Sequence, residues 1–209
     1  MRTVVMVVLV AIGLGAPASS SAQEPHARDH WTVGVAYGPG TAKITGGNDS
    51  LSTGWLEGPA QSVRIGHSVG PFARAGYEHQ AWLREQGFHD HKLRAGTQLE
   101  ALALTAYLGR PGSALGGLYL TAGGGYAHCR LTLLEPLAPG ESDIGDTYRI
   151  VAKQDEFGWG GFGGVGYEFR ISRSFSAGLM ISYNYLDIGD EIFDTATFVP
   201  LMANLNWSF

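Results

Sequence analysis

Long stretches of this chain alternate strictly between apolar residues and small or polar ones, and this alternation constrains the fold more than any other feature. Between Phe157 and Ile171, the odd positions are mostly aromatic or aliphatic, whereas the even positions are mostly glycine, with Glu168 and Arg170. Successive side chains of a strand point to opposite faces, so each such stretch predicts a strand with one apolar face. Beyond residue 30, no apolar stretch approaches the roughly 20 residues that a membrane-spanning helix needs. The pattern therefore predicts an all-β protein.

Eight stretches show this period-two pattern. They are residues 31–38, 58–68, 72–82, 92–108, 116–130, 157–171, 175–187 and 195–209. The fourth stretch has an ambiguous parity, because Leu99 and Ala101 compete with Leu102 and Leu104 for the apolar face. A β-bulge near Glu100 would reconcile the two, since one extra residue reverses the facing. We therefore expect eight strands, with a bulge in the fourth.

The connections between these stretches alternate in length. Short connections lie at 69–71, 109–114 and 172–174, and longer ones lie at 39–57, 83–91, 131–156 and 188–194. Outer-membrane barrels show this arrangement, with short periplasmic turns, longer external loops and an even number of strands. We therefore predict an eight-stranded, antiparallel, up-and-down transmembrane β-barrel.

Composition and the N-terminal residues indicate export and exclude several classes of function. Arg2 precedes an apolar run of eleven residues, and small residues follow at 20–22, so residues 1–22 read as a signal peptide. Residues 23–30 then form a periplasmic segment, and 31–209 form the barrel in the bacterial outer membrane. A formal net charge of −5 provides no basic surface for nucleic acid. A single cysteine excludes an internal disulfide framework and a cysteine-rich zinc site.

Alternation alone does not decide which face of the strands meets water or lipid. Aromatic residues gather near the predicted strand ends, among them Trp31, Tyr126 and Trp207, as the interface girdles of a membrane barrel do. The opposite parity has charges among many glycines, which leave room for long charged side chains to pair across a narrow lumen. We predict a lumen charge network formed by Arg64, Arg74, Glu78, Arg94, Glu168 and Arg170. Such a network would exclude a wide pore.

The last predicted strand ends in alternating apolar residues, Leu205, Trp207 and Phe209, and the stretch Gly123-Gly124-Gly125-Tyr126 follows a strand beginning at Leu118. With these features, residues 31–209 resemble the small outer-membrane-barrel family that includes the OmpA membrane domain, OmpX and OmpW. The resemblance implies that the three terminal apolar residues are a membrane-insertion signal, read by the barrel-assembly machinery. It transfers no functional residue, because such barrels share architecture rather than a site.

Three motifs with possible chemistry have simpler explanations. Residues 158–163 match the dinucleotide fingerprint G-x-G-x-x-G, but the fingerprint needs a helix after it, and here the strand pattern continues. His89, Asp90 and His91 are adjacent in a predicted loop and have no distant third ligand. Cys129 follows His128 near a strand end, where an unpartnered thiol is the simpler interpretation. We expect no metal site and no cofactor.

Two alternatives to a non-enzymatic barrel remain open. An outer-membrane lipid-modifying enzyme resembling the lipid A deacylases would need a His-x-Ser pair facing lipid, and no histidine of this chain begins one. A secreted lipocalin-like carrier would need an apolar interior. The acidic connection 131–156 is a candidate contact for an extracellular partner, and outer-membrane lipid is expected around the strands. The expected role is structural, surface interaction or passage of a small solute.

Overall fold

A computed structural model describes residues 31–46, 53–88, 91–110, 113–137, 148–172, 174–189 and 193–209. Eight strands account for most of these residues, and their bounds follow. They are β1 (Trp31–Thr45), β2 (Leu56–Gly70), β3 (Ala73–Phe88), β4 (His91–Tyr107), β5 (Leu118–Pro136), β6 (Tyr148–Arg170), β7 (Phe175–Asp187) and β8 (Thr195–Ser208). Within the described ranges, no helix is long and apolar enough to cross a membrane. The predicted signal peptide and periplasmic segment lie outside the described residues.

Every strand pairs antiparallel with its neighbours in sequence, and β1 pairs with β8 to close the barrel. The stagger of the closed sheet follows from one row of paired residues. Starting at Val35, the row passes from strand to strand through β2 to β8 and returns to β1 at Thr45, ten residues further along. Eight strands with a stagger of ten residues tilt by roughly 40° and enclose an interior that side chains can fill.

The arrangement expected of a membrane barrel, with apolar side chains outside and charged side chains inside, is confirmed. Leu102 and Trp159 point outward and are 76% and 72% exposed, whereas Arg64 and Glu78 point inward and are 6% and 3% exposed. A water-soluble carrier has the opposite arrangement, with apolar side chains inside and charges outside. The secreted lipocalin-like alternative is therefore wrong.

The strands extend further than the alternation indicates at one end of the barrel. β3 continues to Phe88 and β4 begins at His91, so only two residues separate them. β5 continues to Pro136 and β6 begins at Tyr148, so most of the predicted loop 131–156 is paired strand. We call this end the hairpin end and the opposite end, where Trp31 and Phe209 lie, the turn end. At the hairpin end, backbone pairing between the strands continues beyond the last residues of the apolar face.

The bulge expected near Glu100 is absent. The pairings of β4 with β3 and with β5 continue without a register shift on both sides of Glu100. Leu99 and Ala101 are buried inside the barrel, and Leu102 and Leu104 point outward. Both sets of apolar residues are explained without a bulge, because part of the interior is itself apolar. The register instead shifts at Leu133/Leu134 and at Ser68/Gly70.

Candidate functional site

An arginine–glutamate pair occupies the centre of the lumen. Arg64 on β2 and Glu78 on β3 are paired neighbours in the sheet, with 3.9 Å between Nη2 and Oε1. Glu78 also accepts hydrogen bonds from Ser62 Oγ and Gln80 Nε2, both at 3.0 Å. The Arg64 guanidinium lies over the ring of Tyr119, 6.0 Å from its centroid. A buried charge is costly unless it is paired and hydrogen-bonded. Glu78 meets both conditions, whereas Arg64 is paired but its buried Nε has no hydrogen-bond partner among the described residues.

Two contacts of this cluster cross the lumen to β7. Gln80 Oε1 accepts a hydrogen bond from Ser182 Oγ at 2.9 Å, and Arg64 Nη2 contacts Met180 Sδ at 3.1 Å. Asn184 Nδ2 donates to Ser182 Oγ at 3.1 Å and so extends the chain of polar contacts. Side chains from opposite walls therefore meet in the middle of the barrel.

A second polar group lies nearer the turn end. Glu168 on β6 accepts hydrogen bonds from Tyr107 on β4 at 3.2 Å and from Asn206 on β8 at 3.1 Å. The Arg74 guanidinium lies 5.5 Å from the centre of the Tyr107 ring. One cavity of about 20 Å³ lies between the two polar groups, lined by Arg64, Arg74 and other residues. It holds roughly one water molecule, so it provides no path for a solute.

Four members of the predicted lumen network are thus inside the barrel, and the other two differ. Arg94 belongs to the outward parity of β4, together with Leu102, and its Nη2 binds Glu85 Oε2 at 3.0 Å outside the barrel. The prediction for Arg94 is wrong because no bulge reverses the facing of the strand. Arg170 has the inward parity but lies exposed at the turn end, where its Nε donates to the Ser172 carbonyl at 3.1 Å.

An apolar layer that the sequence pattern did not predict fills the lumen at the hairpin end. Trp82 is 1% exposed, and its indole Nε1 donates to the Gly40 carbonyl at 3.3 Å. The same layer includes Ile44, Leu99, Leu186 and Phe198. These residues belong to the inward parity, as does Cys129, which is fully buried in this layer while His128 faces outward. The thiol is free, as expected, but it is buried in the lumen rather than near a rim.

The outer face of β3 and β4 has an ionisable pair among apolar neighbours. His79 Nδ1 lies 2.7 Å from Glu100 Oε1, and the Tyr77 hydroxyl donates to the other oxygen of the same carboxylate. Along β3, Ala81 and the exposed Leu83 lie beyond His79 in the direction of the hairpin end. The pair therefore lies inside the apolar band rather than above it.

Above this pair, outward side chains of β3 to β6 form a charged collar. The collar consists of Glu85, Lys92, Arg94, Arg130, Lys153 and Asp155. Glu85 contacts Lys92 at 3.1 Å and Arg94 at 3.0 Å, and Asp155 contacts both Arg130 and Lys153. Hydrogen bonds from Arg94 and then Lys92 hold the pKa of Glu85 below its usual range. Those from Arg130 and then Lys153 hold the pKa of Asp155 well below its usual range. Each carboxylate is thus shared by two cations.

The predicted membrane-insertion signal lies on the outer face of β8. Leu205 is 47% exposed, Trp207 63% and Phe209 67%. The backbone N–H of Phe209 donates to the Trp31 carbonyl at 3.0 Å, which joins the two strands at the turn end of the β1–β8 seam. Their role in assembly stays a prediction.

No group of three or more potential metal ligands occurs among the described residues. His89 and Asp90 lie outside those residues, as do Glu141, Asp143 and Asp146 of the acidic connection. Gly158 to Gly163, the dinucleotide-like motif, lies within β6, where a strand replaces the helix that phosphate binding requires.

Comparison with known families identifies the architecture. Residues 6–209 match the family described as outer membrane protein beta-barrel domain. The chain belongs to this family. It is therefore a bacterial outer-membrane β-barrel. Because such barrels have short turns at the periplasm and longer loops outside, we expect the turn end at the periplasm and the hairpin end outside the cell. No curated protein matches its sequence.

Solved structures share the fold at low identity. Ail of Yersinia pestis, solved with the heparin analogue sucrose octasulfate, is 8% identical with a TM-score of 0.53, covering 86% of this barrel and 99% of Ail. Neisserial surface protein A is 16% identical with a TM-score of 0.49, covering 86% and 97%. The outer membrane protease OmpT of Escherichia coli is 10% identical with a TM-score of 0.40, covering 90% and 99%. At these identities the likeness concerns the fold alone.

Proposed function

We propose that this barrel is a non-enzymatic surface-interaction protein, a closed membrane anchor that presents its hairpin end to a partner outside the cell. The proposal rests on the β5–β6 hairpin. These strands have 19 and 23 residues, whereas a tilted transmembrane strand needs about 9–11, so roughly 30 Å of strand lies beyond the membrane. A filled lumen also argues against passage of a solute.

The hairpin is braced laterally, which favours a defined contact surface. Lys92 Nζ on β4 lies 4.1 Å from the centre of the Tyr148 ring on β6. Arg149 Nη2 on β6 binds Glu135 Oε2 on β5 at 2.9 Å. Such contacts hold neighbouring extensions in one arrangement, and a preorganised surface loses less entropy when it binds.

One edge of the β6 extension is open. β7 pairs with β6 only from Trp159 toward the turn end, so among the described residues none pairs with the β7-side edge between Tyr148 and Gly158. Ile150 and Val151 on this segment are 61% and 53% exposed. An open edge with exposed apolar side chains can bind an extended segment of another protein by strand addition.

Attachment of cells tests this proposal. Cells that produce the wild-type barrel at their surface are expected to attach to a layer of other cells more than cells that lack it. The double variant Ile150→Lys with Val151→Lys is expected to remove the gain, because it replaces the apolar edge with charge. Leu115→Lys, which replaces an exposed apolar side chain with a charge at the turn end, is the control. Equal attachment with and without the barrel, or an unaffected double variant, would show that the proposal is wrong.

A further inference from the structure

One flank of this barrel, the outer face of β3 to β6, has ionisable side chains both in the apolar band and above it. Between Phe175 and Tyr185 on β7, the outward residues are apolar or aromatic, whereas the corresponding part of β3 and β4 includes His79 and Glu100. Charged groups on a lipid face destabilise a barrel in proportion to their depth, and ionisable residues inside a membrane mark functional sites by default. This flank is therefore a candidate binding surface.

The lower part of the flank offers one polar atom to the lipid. Both carboxylate oxygens of Glu100 already have a hydrogen-bond partner. Oε1 lies next to His79 Nδ1, and Oε2 accepts from the Tyr77 hydroxyl. His79 Nε2 has no partner among the described residues. A neutral ring held at Nδ1 by a carboxylate presents Nε2 as an acceptor, and a protonated ring presents it as a donor. This atom suits a hydroxyl, amide or ester group buried a few ångströms below a headgroup.

The middle of the flank connects this pair to the collar. Gln98 follows Glu100 on the outward face of β4 and approaches His128 Nδ1 on β5, with 3.4 Å between the atoms. The other nitrogen of His128 lies 3.1 Å from Asp155 of the collar. Polar side chains therefore occupy successive outward positions from the apolar band to the collar.

The collar above is positively charged overall. Its four cations share two carboxylates, so the six collar residues carry a net charge of +2, and the carboxylate of Glu100 lies below them on the same flank. The side chains of Arg94, Arg130 and Lys153 are each nearly half exposed, and the arginines retain further N–H donors beyond those that bind carboxylates. Guanidinium groups match the geometry of phosphate oxygens, and such charge-assisted bonds are the stronger kind.

We propose that the outer flank of β3 to β6 binds one phosphate-bearing glycolipid of the outer leaflet. The collar binds its phosphates, and the His79–Glu100 pair binds a hydroxyl, amide or ester group of the same molecule beneath them. Lys153 and Asp155 of the collar lie on the β6 segment of the proposed function, but the variants that test lipid binding change only β3, β4 and β5, so either proposal can fail without the other.

Lipid retention by the full chain tests this proposal. The barrel is refolded into phosphatidylcholine nanodiscs containing a small fraction of bisphosphorylated lipid A, and bound lipids are counted by native mass spectrometry. We expect one retained lipid A per wild-type barrel. The double variant Arg94→Gln with Arg130→Gln, and separately His79→Leu with Glu100→Leu, should each weaken retention roughly tenfold or more.

Matched controls make the result specific. Lys43→Gln removes an outward cation from β1, and Tyr183→Leu removes an outward hydroxyl from β7; both should retain lipid A as the wild type does. The arginine variants change exposed residues outside the membrane, so their folding is not at risk. Equal retention by both double variants would overturn the proposal. So would equal retention of dephosphorylated lipid A, or full displacement of lipid A by inorganic phosphate, which would indicate a free-phosphate site.

Discussion

Ser182 on β7 donates a hydrogen bond to Gln80 on β3 across the lumen, with 2.9 Å between the two oxygens. This contact lies between two layers that also fill the barrel. The Arg64–Glu78 pair lies on its periplasmic side, and Trp82 lies in the apolar layer on its external side. Any solute would have to disrupt all three.

The filled lumen predicts that the wild-type barrel forms no open channel. Planar-bilayer recordings should show no large, discrete conductance steps. Trp82→Ala should also stay closed, because the polar contacts beneath the indole remain, although the cavity should lower the free energy of unfolding by about 3–5 kcal/mol. Large steady steps from the wild-type barrel would refute the filled lumen.

The Arg64–Glu78 pair should show strong coupling in a double-mutant cycle. Glu78→Leu leaves a buried guanidinium without its carboxylate and should lower the free energy of unfolding by about 3–5 kcal/mol. The double variant Arg64→Met with Glu78→Leu should cost much less than the sum of the single changes, because no unpaired charge remains. Denaturant unfolding in lipid vesicles measures all four species. Additive single effects would show that the two groups do not interact.

The sequence predicted the fold because lipid imposes a period-two signal wherever a strand crosses the membrane. All eight predicted strands are present, and the outward facing of Val165 and Trp207 is confirmed. The extensions of β5 and β6 were missed because water removes the need for an apolar face, while backbone pairing continues. No signal in single residues distinguishes such an extension from a loop.

The candidate site was predictable only in part. Arg64 and Glu78 alternate with apolar residues along their strands, so the sequence placed them in the lumen, where they lie. Arg94 was placed there wrongly, because the facing of the fourth strand was ambiguous. Leu99 created that ambiguity, since an apolar layer inside a membrane barrel contradicts the simple polar-interior rule. The contact between His79 and Glu100 was not predictable, because it depends on the register of β3 against β4. A histidine among the apolar residues of a strand nevertheless indicates an unusual position on the lipid face.

The facing assignment predicts that charge is poorly tolerated at Val165. This side chain is 40% exposed on the outer face of β6, between the aromatic ends of the strand. Val165→Arg should lower the free energy of unfolding by about 2–4 kcal/mol if the residue lies near the bilayer centre. Val165→Ala serves as the control and should cost far less. Equal stability of the two variants in vesicles would contradict a lipid-facing position.

Two glycines of β6 should respond oppositely to alanine. A Cβ at Gly166 would lie 2.3 Å from the Tyr119 hydroxyl in the packed lumen, whereas a Cβ at Gly163 would meet nothing within 4 Å. Gly166→Ala should therefore lower the free energy of unfolding by about 1–3 kcal/mol through overpacking. Gly163→Ala should be neutral or slightly stabilising, since it faces lipid and reduces unfolded-state entropy. Urea titration of both variants tests the difference, and a destabilised Gly163→Ala would contradict it.

The collar predicts an acid-dependent change outside the membrane. Hydrogen bonds from Arg130 and then Lys153 depress the pKa of Asp155, so their stabilising effect is fully present above the ordinary carboxyl pKa of about 3.9. It is lost as pH falls through the lowered value of the folded protein. Carbon-13 NMR of the carboxyl group should show Asp155 titrating below the ordinary range, and high salt should reduce the shift because the groups are exposed. Arg130→Gln should raise the pKa of Asp155 toward its usual value, whereas Arg149→Gln, which affects Glu135 instead, should leave it unchanged. An ordinary pKa for Asp155 in the wild-type barrel would show that the collar contacts do not form in solution.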